Sequence, residues 1–110
     1  MPPSIDDGAS SGDVSVGEGG DAALHCAALG DPEPRVRWVR EGGGEFRLAP
    51  GTALIKEVVG PTLSMRGVLR DLGGAYLCIG TNGVPPAVSK RMELHVTCEF
   101  SLKPRYYNQF

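Results

Sequence analysis

The stretch Gly74–Thr81, with the sequence GAYLCIGT, decides the fold of this chain. Successive side chains of a β-strand point to opposite faces of the sheet. Alternation along this stretch places Tyr76 and Cys78 on one face, and Leu77 and Ile79 on the other. We therefore predict a strand that turns Tyr76 and Cys78 toward a core.

Two earlier residues, Cys26 and Trp38, complete a pattern with this strand. Trp38 lies 12 residues after Cys26, and Cys78 follows Trp38 after 40 residues. Strands are predicted over Asp21–Leu29 and Arg35–Arg40. With Cys26 and Trp38 turned inward, the period of two places further apolar side chains on the same inner faces, namely Ala22, Leu24, Ala28 and Val36.

This Cys–Trp–Tyr–Cys spacing resembles that of an immunoglobulin-like β-sandwich. In that fold the two cysteines bridge the sheets, the tryptophan packs on the bridge, and the tyrosine hydroxyl bonds back to the chain. The predicted fold is therefore an all-β, immunoglobulin-like sandwich of two antiparallel sheets. A Cys26–Cys78 disulfide would close a loop of roughly 50 residues and stabilise the fold by about 4 kcal/mol. Two unrelated buried thiols in a cytosolic protein are the alternative.

Turn residues divide the remaining chain into short strands. The chain has 16 Gly and 9 Pro in 110 residues, which is typical of many short strands joined by tight turns. Residues 1–12 are predicted as a linker leading into an edge strand, 13–97 as the immunoglobulin-like domain, and 98–110 as an irregular tail. Further strands are predicted at Asp13–Gly17, Phe46–Leu48, Ala53–Val58, Thr62–Arg66 and Ala87–Val96.

Composition and motifs argue against several classes of function. The formal net charge of −2 and pI of about 5.6 lack the basic excess of nucleic-acid-binding domains. His25 and His95 have no cysteine or histidine at metal-ligand spacing, and no Gly-x-Ser-x-Gly nucleophile motif occurs. We expect no enzyme activity, no metal and no cofactor. Because no apolar run reaches the roughly 20 residues that span a bilayer, membrane attachment is expected only through an anchor outside this chain.

Three segments carry a more specific resemblance: PPSIDD (2–7), PEPRVRWVRE (32–41) and GAYLCIGTNGVPPAVSKRMELHV (74–96). They are similar to the second immunoglobulin domain of the lachesin and Dpr-interacting-protein group, arthropod neural cell-surface proteins related to the IgLON family. The resemblance covers roughly Pro2 to Val96. It implies an intermediate-set (I-set) sandwich within a longer extracellular, cell-surface adhesion protein. It also implies partners among other immunoglobulin-superfamily proteins, homophilic or heterophilic, and a role as a spacer or a binding module.

The chain departs from that group at two places. The group often carries an acidic residue where this chain has Leu72, and Asp71 stands one place early, so an Asp71–arginine ion pair is not expected. After Val96 the residues no longer resemble the group's linker. The odd cysteine, Cys98, falls in this segment. It is either a free thiol, part of an intermolecular bridge, or a product of the atypical tail.

One surface is a candidate for binding a partner. The outward side chains of three predicted strands, called C, F and G in immunoglobulin domains, combine apolar residues with surrounding charge, as binding hot spots do. These residues are Arg37, Val39, Leu77, Ile79, Arg91 and Glu93. The alternative is ordinary surface, since exposed apolar side chains are common.

The kind of longer protein to which the domain belongs also has alternatives. The same frame occurs in receptor kinase or phosphatase ectodomains, in secreted immunoglobulin proteins and in intracellular muscle-type domains. The last of these predicts reduced cysteines.

Overall fold

The computed structural model describes residues 1–97, so the predicted tail 98–110, with Cys98, lies outside the described residues. The described part forms nine strands and two short 3-10 turns, Asp7–Ala9 and Arg70–Leu72. The strands are β1 (Ser4–Ile5), β2 (Val14–Gly17), β3 (Ala22–His25), β4 (Ala28–Leu29), β5 (Arg35–Arg40), β6 (Glu57–Val59), β7 (Thr62–Met65), β8 (Gly74–Thr81) and β9 (Val88–Thr97).

The larger layer is a five-stranded sheet in the order β2-β9-β8-β5-β6. Trp38 of β5 stands opposite Cys78 of β8. The pairs within this sheet are antiparallel except β2 with β9, which run parallel, with Val14 opposite Leu94. The all-β immunoglobulin-like fold is confirmed, and its description as two antiparallel sheets needs this one correction.

The opposite layer consists of two short ladders, β3 with β7 and β1 with β4. The predicted strand Asp21–Leu29 is interrupted between β3 and β4 because the chain changes partners there. The Cys26 N–H donates to the Pro61 carbonyl at 2.8 Å, beside β7, whereas the Ala27 carbonyl accepts from the Asp6 N–H at 2.9 Å, beside β1. One predicted strand therefore serves two neighbours in turn.

The core lies between the layers and contains the four residues of the deciding pattern. Cys26, Trp38, Tyr76 and Cys78 are all fully buried. Around them pack further buried apolar side chains, among them Leu24, Phe46, Leu63, Met65, Met92 and Leu94. The inward faces predicted for β3, β5 and β8 agree with this burial.

Between β5 and β7 the structure differs from the predicted strands Phe46–Leu48 and Ala53–Val58. Phe46 and Ile55 form only an isolated bridge, with N–H to carbonyl distances of 2.9 and 2.8 Å, and β6 begins at Glu57. The pairing ends quickly because the chain turns through Gly51, whose φ of +83° is readily adopted only by glycine.

The first residues of the chain are hydrogen-bonded to the sandwich. Strand β1 lies within residues 1–12 and pairs with β4. The Ala27 N–H donates to Ser10 Oγ at 3.0 Å, and the Ser11 N–H donates to the His25 carbonyl at 2.8 Å. The boundaries between linker, domain and tail stay predictions.

The chain enters and leaves the sandwich at opposite ends. At the upper end, formed by loops 30–34 and 82–87, the Met1 amine donates to the Asp31 carbonyl at 2.9 Å, and Asn82 Nδ2 donates to the Met1 carbonyl at 2.8 Å. At the lower end, formed by residues 17–20 and 66–73, the Thr97 carbonyl accepts from the Glu18 N–H at 2.8 Å. The ends are separated by the length of β8, about 27 Å at 3.4 Å per residue.

Candidate interaction surface

The surface predicted to bind a partner rests on a cross-linked core. Cys26 and Cys78 form a disulfide that joins the two layers, with a Cα–Cα distance of 6.4 Å and 52 residues of sequence separation. Because Trp38 is paired with Cys78 in register, the indole lies beside this bridge. The strands β5 and β8, which carry most of the predicted surface, are therefore held at the centre of the domain.

Tyr76 fastens the lower end of the same strand. Its hydroxyl donates a 2.6 Å hydrogen bond to the Leu72 carbonyl, and its ring meets Phe46 edge to face at a centroid distance of 5.4 Å. Burial raises the pKa of Tyr76, while the nearby Arg40 guanidinium, 5.6 Å from the ring centroid, acts in the opposite direction. The phenol thus stays protonated and keeps its hydrogen bond.

Replacing this phenol by a phenyl ring, Tyr76→Phe, is expected to lower the free energy of unfolding by about 1–2 kcal/mol, because the Leu72 carbonyl loses a buried donor. The raised pKa means that the unfolded chain releases the tyrosine proton at lower pH than the folded chain does. The stability due to Tyr76 is therefore complete below about pH 10 and falls as the pH rises above it. Urea unfolding at pH 8 and at about pH 10.5 should show the gap between wild type and variant narrowing. An equal gap at both values would contradict this.

Arg40 is a residue whose role the sequence reasoning missed. Its Nη2 donates to the carbonyls of Asp71 and Gly73, both at 2.7 Å. It thus contacts the main chain of Asp71. The available signal was strand alternation, which turns Arg40 to the same side of β5 as Trp38.

The six residues of the predicted surface all lie on the solvent side of the five-stranded sheet. In register, Arg37 stands opposite Ile79, Val39 opposite Leu77, and Leu77 opposite Arg91. Glu93 is one alternation further along β9, opposite Ala75. Arg37 and Arg91 are exposed, whereas the three apolar side chains and Glu93 are half-buried.

Ion pairs surround the apolar centre. Arg37 Nη1 lies 3.3 Å from Glu57 Oε2, and Arg91 Nε lies 3.0 Å from Glu41 Oε2. The hydrogen bond from Arg91 to Glu41 raises the pKa of Arg91. Pairs this exposed contribute little to stability, so their charges remain available to a partner.

Four neighbours of the predicted residues extend the surface. Val59, 72% exposed, stands opposite Arg37. Glu57 joins through its ion pair with Arg37, and Glu41 through its ion pair with Arg91. Arg35 joins through its register with Thr81 of β8. The outer face is defined hereafter as ten residues: Arg35, Arg37, Val39, Glu41, Glu57, Val59, Leu77, Ile79, Arg91 and Glu93.

The two histidines of the chain lie exposed on the described part of the sandwich. His25 points to solvent, with Nδ1 3.0 Å from Thr62 Oγ1, and His95 Nε2 lies 3.1 Å from Glu93 Oε1. Within residues 1–97 no three His, Cys, Asp or Glu side chains are grouped as metal ligands would be. The same residues contain no helix with the length and hydropathy of a membrane span.

Comparison with known proteins agrees with the fold. The family profile described as "Immunoglobulin domain" matches residues 2–82. The chain is 47% identical to a chain in the crystal structure of Dpr11 IG1 bound to DIP-gamma, covering 86% of this chain and 47% of that one, with a TM-score of 0.81. A chain in the complex of Dpr2 with DIP-Theta gives 45% identity, coverages of 87% and 32%, and a TM-score of 0.82.

The curated relatives are proteins of greater length. Lachesin of Drosophila melanogaster is 32% identical over 100 residues, which are 91% of this chain and 26% of lachesin. Leucine-rich repeat and fibronectin type-III domain-containing protein 3 of Rattus norvegicus is 37% identical over 76 residues, 69% of this chain and 12% of that protein. The chain is thus similar to single domains of longer adhesion and recognition proteins. It belongs to the immunoglobulin domain family.

Proposed function

We propose that this chain is the second, I-set domain of a neural cell-surface recognition protein of the lachesin and DIP kind, and that it serves there as a rigid spacer. The observation that carries the spacer role is the placement of Met1 and Thr97 at opposite ends of the sandwich. A domain entered at one end and left at the other adds its full length to a protein. The disulfide and the Tyr76 corner keep that length fixed.

Direct binding through the outer face is the second candidate function, and it is compatible with the first. Its support is the half-buried apolar centre, with Val39, Leu77 and Ile79 side by side, ringed by charged side chains. The partners would be other immunoglobulin-superfamily proteins at the cell surface. The relatives' structures, whose descriptions report Dpr proteins bound to DIP proteins, support this class of partner.

An avidity-enhanced binding assay tests the spacer role. The chain, carrying Cys98→Ser, and the longer ectodomain are each multimerised and applied to a panel of immunoglobulin-superfamily ectodomains. We expect the ectodomain to bind a panel member at least 10-fold more strongly than the isolated domain does. In a third sample, an unrelated immunoglobulin domain of the same end-to-end length replaces this domain, and binding should persist.

Two results would change the assignment. Loss of binding in the replaced ectodomain, or equal binding by the isolated domain, would show that this domain recognises the partner itself. In that case, Arg37→Glu combined with Ile79→Asp should abolish binding without lowering the melting temperature, because both side chains lie on the outer face. Binding that survives this double substitution would exclude the outer face.

A further inference from the structure

The charges of the outer face are sorted along the strand direction. Arg35 and Arg37 lie toward the upper end of β5, where Arg35 stands opposite Thr81. Glu41 and Glu93 lie toward the lower end, beside Ala75. Between the two ends lie Val39 and Leu77, and Ile79 adjoins them level with Arg37. The face therefore has a positive end, an apolar middle and a negative end.

The middle of the face is balanced as well. Glu57 and Arg91 flank the Val39–Leu77 row on its two sides, in register on β6 and β9. The whole face carries three arginines and three glutamates, so it has no net charge. A second copy consequently meets no long-range repulsion from this surface.

We propose that the outer face binds the outer face of a second copy of this chain, with the strands of the two copies antiparallel. A two-fold axis that lies in the contact plane, perpendicular to the strands, brings the Arg35–Arg37 end of each copy over the Glu41–Glu93 end of the other. The Val39–Leu77 row then faces its own counterpart, as do Arg91 and Glu57, which are ion-paired within each copy with Glu41 and Arg37. The parallel alternative would gather four arginines at one end and four glutamates at the other, which like-charge repulsion disfavours. The inference rests on direct binding by the outer face, and it specifies the partner.

The size of the face sets the strength of the contact. Four strands at about 4.8 Å spacing and about 24 Å of strand length cover about 450 Å². Two copies would bury about 900 Å² in total, which is below the range of stable dimers. The contact is therefore weak in solution and suited to many copies acting together on a surface.

A charge-exchange experiment tests the orientation. The first variant reverses the positive end, with Arg35→Glu and Arg37→Glu. The second reverses the negative end, with Glu41→Arg and Glu93→Arg. All chains also carry Cys98→Ser, which prevents intermolecular disulfides. Sedimentation velocity from about 0.02 to 1 mM should show self-association of the unreversed chain, and at least 10-fold weaker self-association of each variant. An equimolar mixture of the two variants should associate again, because the two negative ends of the first variant then face the two positive ends of the second.

Matched controls separate this contact from general attraction between oppositely charged chains. Relative to the net charge of −2, the two variants carry −6 and +2. The same net charges are produced outside the outer face by Arg47→Glu with Arg66→Glu, and by Glu33→Arg with Glu45→Arg, all at exposed positions. Each control variant should associate as the unreversed chain does, and mixing the two controls should add nothing. Thermal unfolding of every variant verifies that it is folded.

Three results would overturn the inference. The unreversed chain could remain monomeric throughout the concentration range, the variant mixture could fail to associate, or the control mixture could associate as strongly as the variant mixture. The spacer role is judged by the domain-replacement result and is independent of these outcomes. Binding of a different panel protein through the outer face would likewise support the proposed function while excluding a second copy as the partner.

Discussion

Removing the disulfide by Cys26→Ala together with Cys78→Ala is expected to lower the free energy of unfolding by about 4 kcal/mol. The two residues are 52 apart in sequence, and cross-linking a loop of this length restricts the unfolded chain by about that amount in the chain-entropy model. Natural domains of this size have only about 5–15 kcal/mol of stability, so the loss is a large share of the total. Urea unfolding of the full chain at neutral pH measures it.

The control for this variant isolates the effect of the cross-link. Cys98→Ser alone leaves the Cys26–Cys78 bridge intact. Its free energy of unfolding should therefore stay within about 0.5 kcal/mol of the wild-type value. Reducing the wild-type chain with excess thiol in denaturant should reproduce most of the loss. If the free energy of unfolding of the double variant lies within about 1 kcal/mol of the wild-type value, packing alone holds the two layers together.

The second large effect is expected from Trp38→Ala, which should cost about 3–5 kcal/mol. The indole is fully buried in the core between the layers and beside the disulfide, so its removal leaves a void that the cross-linked strands cannot close. The far-ultraviolet circular dichroism and the urea midpoint report whether the domain still folds. If the alanine variant is unfolded in buffer, the loss in free energy of unfolding is measured on the phenylalanine variant instead.

Trp38→Phe separates volume from hydrogen bonding. The indole Nε1–H has no hydrogen-bond acceptor among residues 1–97, so the phenyl ring forfeits no bond to them. We expect a loss of about 1–2 kcal/mol, due to the smaller ring. A loss as large as that of the alanine variant would mean that the indole N–H has a specific role after all.

The core and its strands could be predicted from the sequence because they follow local rules. Cys26, Trp38, Tyr76 and Cys78 lie on strands whose apolar residues alternate, and alternation fixes which side chains face inward. The same rule placed Arg37, Val39, Leu77 and Ile79 together on the outer face. Two-residue periodicity in three neighbouring strands was therefore sufficient for both the core and the surface.

What could not be predicted depends on pairing between distant segments. The change of partner after Cys26 is decided by Pro61 and Asp6, which are far from it in sequence. The parallel pairing of β2 with β9 likewise joins residues about 80 positions apart. Glu57 and Glu41 were missed on the outer face because glycine-rich turns hide the alternation between β5 and β6.

The parallel pairing of β2 with β9 has a mechanical consequence when the domain is pulled from its two ends. Tension pulls Met1 beyond the upper end and Thr97 beyond the lower end, so β2 and β9 slide past each other along their length. The hydrogen bonds of that ladder are then strained together, whereas the two-residue ladder of β1 can peel open first. Even after the ladder fails, the residues enclosed by Cys26 and Cys78 cannot be drawn out. In single-molecule stretching, the contour length gained on unfolding should therefore be shorter under oxidising than under reducing conditions, by the length of about 50 residues.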